Sequence, residues 1–321
     1  MLVFDLPLDE LPQYEGRNPR PADFDDYWSR ALAELDTVDL DVSVDPVAHP
    51  TPIADAYDLH FTGVGGARIY AKYLRPRSSG PHPGVVLFHG YSMRSADWFD
   101  LIPYAAQGFA VLAMDCRGQG GRSIDVAHVV GYTLQGHIIR GLDGRPEDLL
   151  YRSIFLDTVA ATRVLAGLPE VDGDRIGTAG ASQGGGLSLA CAALSPLVRA
   201  TATVYPFLCD YQRVWELGLA ENAYAELREY LRRFDPTHER VTEMFTRLGY
   251  IDVQHLAPRI TVPVLMFTGL EDMVCPPSTQ FAAYNAIPGT KDVVFYPDYA
   301  HEDLPGANDR ILTFLSQALS A

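Results

Sequence analysis

Six short runs in this chain read as strands without a solvent face: Val85-Val-Leu-Phe88, Phe109-Ala-Val-Leu-Ala-Met114, Arg175-Ile-Gly-Thr-Ala179, Ala200-Thr-Ala-Thr-Val204, Val262-Pro-Val-Leu-Met-Phe267 and Asp292-Val-Val-Phe-Tyr296. A strand with one wet face alternates apolar and polar residues, so runs that do not alternate belong to a sheet covered on both sides. Residues 154–165, 185–194, 279–286 and 310–319 carry the helical spacing that supplies such covers. The pattern predicts an α/β fold with a mostly parallel central sheet and helices on both faces. Ahead of it, residues 23–35 read as an amphipathic helix. Residues 57–74 read as a hairpin turning at Gly63-Val-Gly-Gly66.

No internal repeat or Ser/Gly linker divides the chain, which predicts one domain over residues 1–321 with an N-terminal extension of about residues 1–56. One stretch breaks the alternation. Between Pro206 and Pro263, helices at 214–220, 223–233 and 239–248 arrive with no strand among them. An insertion at the C-terminal end of a parallel strand lies over the usual ligand crevice. Residues about 207–258 are therefore expected to form a cap or lid, with a surface or oligomer-contact excursion as the alternative; both can hold.

Acidic excess narrows the partners. Asp+Glu number 41 against 25 Lys+Arg, a formal net charge of −16, which repels nucleic acid and anionic membrane at long range and leaves a neutral small molecule favoured. No run approaches the ~18 apolar residues of a membrane span. The N-terminus lacks the basic and apolar regions of a secretory signal. Cys116, Cys191, Cys209 and Cys275 are scattered, with no CxxC, and read as buried free thiols of a cytoplasmic protein.

The strongest chemical signal is Gly180-Ala-Ser182-Gln-Gly184, which follows a predicted strand and opens a predicted helix, the context that gives G-x-S-x-G its meaning. So tight a turn has no room for side chains two before and two after the serine. It lifts the Ser182 hydroxyl above the sheet and aims the free N–H groups of a helix N-terminus at the reacting centre. A coincidental glycine-rich turn is the alternative.

A serine nucleophile needs a base, and the base needs a carboxylate to orient it. In α/β-hydrolase architecture these follow in the order Ser, Asp or Glu, His, on loops after later strands. Asp272, just past Val264-Leu-Met-Phe-Thr268, is the expected orienter, with adjacent Glu271 as the alternative. Of nine histidines, only His301 follows the last predicted strand. His49, His60, His82, His128, His137, His238 and His255 read as surface or supporting residues. His89 reads as a support of the loop after Phe88, with a part in the chemistry as the alternative.

The oxyanion hole is expected from the backbone N–H groups of Gln183 and of Tyr91, in Phe88-His-Gly-Tyr91. No metal is expected, because His301-Glu302-Asp303 cannot converge on one ion unaided. No cofactor is expected either. Gly63-Val-Gly-Gly66 is not a dinucleotide fingerprint, and no Walker-type phosphate loop occurs.

Three motifs now stand together: Arg117-Gly-Gln119-Gly120, Gly180-Ala-Ser-Gln-Gly184 and His301-Glu302. The combination resembles carbohydrate esterase family 7, the acetyl xylan esterases and cephalosporin C deacetylases. The likeness extends to Asp23–Trp28, Phe88-His-Gly-Tyr91, Tyr205-Pro-Phe-Leu-Cys-Asp210, the segment from Gly269 to Thr279, and Tyr299-Ala-His-Glu302, nearly the whole chain. The resemblance implies Ser182 as nucleophile, His301 as general base, Asp272 as its orienter, and Tyr91 and Gln183 as oxyanion donors. It implies structural support from Arg117 and Gln119, with a direct substrate contact as the alternative. It also implies a homohexamer, a trimer of dimers whose inward-facing sites admit small acetylated substrates. One departure is local: Ser92-Met-Arg-Ser-Ala-Asp97 lacks the glycine expected there, which bears on loop shape and substrate preference.

The expected reaction is deacetylation of xylo-oligosaccharides and related esters such as cephalosporin C, in a small apolar pocket walled by Tyr91, Tyr205, Pro206, Val274 and Pro276. The alternatives are a broad short-chain carboxylesterase, a lactonase or a peptidase on the same fold. An intact Ser182, Asp272 and His301 sets aside a non-catalytic binding protein.

Overall fold

Neighbouring residues of the same strand enter two different cores. In the computed structural model, which describes residues 4–49, 51–126 and 133–320, Val86 and Phe88 pack with one set of helices while Val85 and Leu87 pack with another. Leu112 and Val111 divide in the same way. A side-chain period of two, apolar on both sides, is what a sheet sandwiched between helices demands.

The sheet has nine strands: β1 (Ser43–Val47), β2 (Ala54–Thr62), β3 (Arg68–Pro76), β4 (His82–Phe88), β5 (Ala110–Met114), β6 (Val171–Ala181), β7 (Val198–Val204), β8 (Val264–Gly269) and β9 (Lys291–Tyr296). Their spatial order is β1-β2-β3-β5-β4-β6-β7-β8-β9. The first three pair antiparallel with one another and with β5, and every later pairing is parallel. All six apolar runs are strands, and the hairpin turns at Gly63–Gly66 as expected.

Two differences from expectation have physical reasons. Strand β1 contains Pro46 and is exposed along most of its length, so it carries no apolar signal and exists by pairing with β2. Helix α2 (Trp98–Ala106) holds Pro103 inside and leaves Phe99 exposed, which obscures its stripe. Its sequence signal is the capping box of Asp97 and Asp100.

Helices α3 (Leu150–Ala166) and α4 (Gln183–Leu194) contribute to one core and α10 (Ala307–Ala318) to the other, while α9 (Pro277–Ala286) packs against β8 at the sheet's end. Helix α1 (Phe24–Asp36) adds Phe24, Tyr27, Trp28 and Leu35 to the first core. Between β7 and β8 the chain runs through α5 (Tyr211–Glu216), α6 (Ala225–Phe234), α7 (Val241–Leu248) and α8 (Val253–Leu256) without a strand. No helix among the described residues is long and apolar enough to cross a membrane.

Strand order places the site. The chain goes from β4 to β5 on one side and then crosses to β6 on the other, so the crevice opens where the C-terminal ends of β4 and β6 lie side by side. Phe88 there pairs in register with Gly180. The loop beginning at His89 and the turn holding Ser182 therefore flank the same crevice.

Candidate active site

Ser182 links β6 directly to α4 and is forced to φ 55° and ψ −120°, a region costly for any residue with a Cβ. Glycine makes the turn feasible. A Cβ on Gly180 would lie 2.5 Å from the Gly184 carbonyl carbon, and one on Gly184 would lie 2.1 Å from the Phe88 carbonyl oxygen. The strained residue is over-determined by backbone bonds. Its N–H donates to the Val204 carbonyl (2.9 Å), and its carbonyl accepts from Gly186 (3.1 Å) and Phe207 (3.0 Å).

His301, in the loop after β9, brings Nε2 to 3.0 Å from the Ser182 hydroxyl and donates from Nδ1 to Asp272 Oδ2 at 2.8 Å. Asp272 is fully buried. Its other oxygen accepts from the Val274 and Cys275 N–H groups, each at 2.8 Å. A carboxylate with all its directions used cannot rotate, so the imidazole it holds is fixed in tautomer and orientation. Asp272, not Glu271, makes the bond to the histidine.

Tyr91 and Gln183 each stand at the crevice with a backbone N–H that has no partner among the described residues. The side chain of Gln183 is deeply buried and clamped. Its Oε1 accepts from Tyr151 (2.6 Å) and Gln119 (2.9 Å), and its Nε2 donates back to Gln119 Oε1 (3.1 Å). Gln119 Oε1 also accepts from the Ser92 N–H at 2.9 Å. One amide pair thus ties the loop after β4 to the start of α4.

Arg117 makes a bidentate pair with Asp157 of α3, both bonds 2.7 Å, and donates to the Val64 carbonyl at 3.1 Å. Both side chains are essentially inaccessible. Its contacts are with the hairpin turn and α3, and it lines no part of the pocket. His89 accepts the Cys116 N–H at Nε2 (2.9 Å) and donates from Nδ1 to the Gly90 carbonyl (2.8 Å). Burial holds its pKa below the ordinary value, so it is a neutral strut.

Ser182 and His301 open into a cavity of about 560 Å³ lined also by Tyr91, Tyr205 and Val274. Tyr205 packs on the His301 ring, centroids 4.4 Å apart. Pro206 and Pro276, expected as walls, are buried and do not reach the cavity. Pro206 turns inward against Gly185, and Pro276 caps α9, where its carbonyl accepts from Thr279. The walls that sequence reasoning missed are Ser92, Met93, Leu134, Gln135, Asn222 and Ala223. The last two come from the helical insertion, and Gln135 donates to the Asn222 carbonyl at 3.3 Å. No local motif marks them, because remote segments converge only in the finished fold.

Among the described residues, one group has metal-ligating atoms close together: Asp272, Cys275 and His301, all within 4.8 Å. Their lone pairs and protons are already committed. Both Asp272 oxygens and both His301 nitrogens are hydrogen-bonded, and burial pushes the Cys275 thiol well above its usual pKa. Glu302 accepts from the nearby Ala300 N–H at 3.1 Å. His137 and His255 are held low, to about 4, chiefly by burial. His128 lies outside the described residues.

A mostly parallel sheet with a serine on a strained strand-to-helix turn defines an α/β hydrolase. The acylaminoacyl peptidase of Pyrococcus horikoshii shares this fold at 17% identity and a TM-score of 0.60, over 84% of this chain and 42% of that one. A family model described as acetyl xylan esterase (AXE1) matches residues 1–318. The chain belongs to the acetyl xylan esterase family, a family of carboxylic ester hydrolases. Acetyl xylan esterase 1 from Thermoanaerobacterium sp. JW/SL YS485 superposes with a TM-score of 0.95 at 55% identity, covering 98% of this chain and 100% of that one. An acetyl xylan esterase from Paenibacillus sp. R4 gives 0.92 at 35% identity, with coverage of 98% and 100%. The acetyl esterase Axe7A of Xylanibacter ruminicola is 30% identical over 293 residues, 88% of this chain. The chain spans 63% of the length of that curated relative.

Proposed function

We propose that this protein is a serine esterase that removes acetyl groups from small acetylated carbohydrates, xylo-oligosaccharides above all, and from related acetyl esters such as cephalosporin C. The observation that carries the reading is the hydrogen-bonded chain from Ser182 through His301 to Asp272 at the cavity wall, with bonds of 3.0 and 2.8 Å. Family membership supports the acetyl group as the acyl part.

In this mechanism His301 Nε2 takes the Ser182 proton as the hydroxyl attacks the acetyl carbonyl. Asp272 holds the imidazolium that forms, and the Tyr91 and Gln183 N–H groups receive the oxyanion. The sugar hydroxyl leaves with the proton from His301. Water then attacks the acetyl-enzyme by the same route and frees acetate. Arg117 and Gln119 brace the loops that carry these groups. Tyr91, Tyr205 and Val274 bound the acyl space, so chain length is limited by sterics.

The helical insertion acts as the lid over this space, on a single domain whose N-terminal extension straps it in place. By family resemblance the active assembly is a homohexamer, and four buried free thiols support a cytoplasmic, reducing address. The test is hydrolysis of p-nitrophenyl esters from acetate to octanoate, then of acetylated xylose and cephalosporin C, with Ser182→Ala as control. A steep fall beyond propionate with both acetylated compounds cleaved is expected. A flat profile with no sugar deacetylation would overturn the substrate, and undiminished activity in Ser182→Ala would overturn the mechanism.

A further inference from the structure

Glu226 is an acid where its helix should be apolar. It shares the buried face of α6 with Leu227, Tyr230 and Leu231 and is itself only 3% exposed. No cation pairs with it among the described residues. Every bond to its carboxylate comes instead from a neutral donor around the pocket. One oxygen accepts a hydrogen bond from the Tyr91 hydroxyl. The other accepts from the Ile138 N–H at 2.8 Å and the Ile139 N–H at 3.0 Å.

The donors and their acceptor belong to three separate pieces of chain around the cavity. Tyr91 stands in the loop after β4, Ile138 and Ile139 follow the wall residues Leu134 and Gln135, and Glu226 comes from the insertion, one turn after the wall residues Asn222 and Ala223. The Tyr91 ring is further packed edge-on against His137 and Phe207, at centroid distances of 4.9 and 5.6 Å. Its phenol is pushed to a higher pKa by burial and by the adjacent carboxylate, so it stays protonated and donates. With its hydroxyl bonded and its ring packed, the Tyr91 side chain anchors the Cα it shares with the backbone N–H, and so restricts how the loop after β4 can shift.

We propose that Glu226 is a positioning residue for the esterase reaction: by holding the Tyr91 hydroxyl it aims the Tyr91 N–H at the developing oxyanion, and so couples the helical insertion to the chemistry. This rests on the reading of Ser182, His301 and the Tyr91 N–H given under Proposed function. The interaction is needed most when charge develops on the carbonyl oxygen, so its loss belongs in kcat rather than KM. Misplacing an oxyanion donor by a fraction of its bond length costs about tenfold to 10²-fold.

The experiment compares wild type, Glu226→Ala, Glu226→Gln, Tyr91→Phe and the Glu226→Ala/Tyr91→Phe double variant. It measures kcat and KM on p-nitrophenyl acetate, inhibition by a small alkylboronic acid that forms a tetrahedral adduct on Ser182, and the thermal midpoint. Expected are kcat losses of about tenfold to 10²-fold in Glu226→Ala and Tyr91→Phe, with KM changed less than about threefold. Boronate affinity should fall in parallel, and Glu226→Gln should recover part of the loss. The Tyr91 hydroxyl also accepts from the His137 N–H at 3.3 Å, so the double variant should lose slightly more than Glu226→Ala but far less than the product of the two single losses, because both changes cut the Tyr91–Glu226 link.

A purely structural Glu226 would lower the thermal midpoint while leaving kcat and boronate affinity intact, and that result overturns the proposal. Losses that multiply in the double variant overturn it too. If Glu226→Ala does not fold, Glu226→Gln and Tyr91→Phe carry the same comparison. A wild type without esterase activity, or an active Ser182→Ala, would overturn the underlying esterase reading. An active wild type with indifferent Glu226 variants would overturn the positioning role alone.

Discussion

One buried carboxylate holds the strand-end loop behind His301 and another holds the root of the helical insertion, and they gather their donors over very different lengths of chain. On the strand-end side, Asp272 accepts from the Val274 and Cys275 N–H groups, two and three residues on, and from His301, 29 residues on. On the insertion side, Asp210 accepts from the Arg17 and Asn18 N–H groups, 193 and 192 residues away, and from the Tyr14 hydroxyl at 2.7 Å. The first arrangement needs only the neighbouring strands β8 and β9 and the loops that follow them. The second exists only when the N-terminal segment has wrapped back onto the insertion. The base and its orienter therefore sit on loops that end neighbouring strands, while the insertion that brings Asn222 and Ala223 to the pocket is tied down by contacts with the distant N-terminal segment.

The largest effects should come from the local side. Asp272→Asn replaces an acceptor-only group that faces three donors, so the imidazole loses its tautomer, and kcat for p-nitrophenyl acetate should fall about 10⁴-fold. Ser182→Ala and His301→Ala should fall by a similar factor or more, and combining them should add little further loss. Stopped-flow or prolonged steady-state assays decide this. Losses that multiplied across the triad would break the idea of one unit.

A second prediction concerns the buried pair behind the site. Arg117→Met leaves the Asp157 carboxylate inaccessible and alone, which should cost about 3–5 kcal/mol of stability in urea unfolding. Replacing both residues by apolar ones of matching volume should recover most of that. Room for the pair explains Gly63, whose Cβ would lie 2.2 Å from Asp157 Oδ1. An equally severe loss in the double replacement would mean that the pair specifies the fold rather than merely neutralising itself.

Substrate range should respond to the long-range side. Asp210→Ala strands the Tyr14, Arg17 and Asn18 donors and frees the start of α5, where Asp210 also accepts from the Arg213 N–H at 3.3 Å. The expected cost is about 2–3 kcal/mol. Acetate hydrolysis should fall less than about tenfold, because Ser182, His301 and Asp272 keep their own bonds. The ratio of butyrate to acetate hydrolysis should rise as the insertion loosens. An unchanged ratio would place the acyl limit wholly on Tyr91, Tyr205 and Val274.

The same contrast explains what the sequence could tell. The turn at Ser182 was legible because its requirement is local: Gly180 and Gly184 stand where any Cβ would collide with backbone. Asp272 and His301 were legible because each ends a strand with a short loop. Tyr91 was legible as the residue after Gly90, but its partner was not. The only sign of Glu226 is an acid on the apolar stripe of α6, and nothing local says which donors it meets. Leu134, Gln135, Asn222 and Ala223 carry no sign at all, and Pro206 and Pro276 were misplaced because a strand-end loop can turn its side chains either way. Strand β1 was missed for the same reason in another form: pairing with β2, not burial, makes it a strand.

The smallest effect should be on pH dependence, and it again belongs to the insertion. Asp252 lies fully buried at the start of α8, where it accepts from the Asp210 N–H at 3.1 Å and the Gln254 N–H at 3.1 Å. Burial first, and the neighbouring Asp210 charge second, raise its carboxyl to about 8. A carboxyl that binds its proton more tightly when folded contributes full stability below its unfolded pKa, near 4, and loses it as the pH rises through 8. Stability from this group should therefore decline by about 1 kcal/mol between pH 7 and pH 9, read from urea midpoints. Asp252→Asn keeps an oxygen for both N–H donors and can still bond Gln254 through its amide, so it should flatten that decline without unfolding the insertion. Should the slope survive in Asp252→Asn and vanish in Asp210→Asn, the titrating carboxyl is Asp210, and the anchor of the N-terminal segment rather than the start of α8 is the pH-sensitive part of the long-range side.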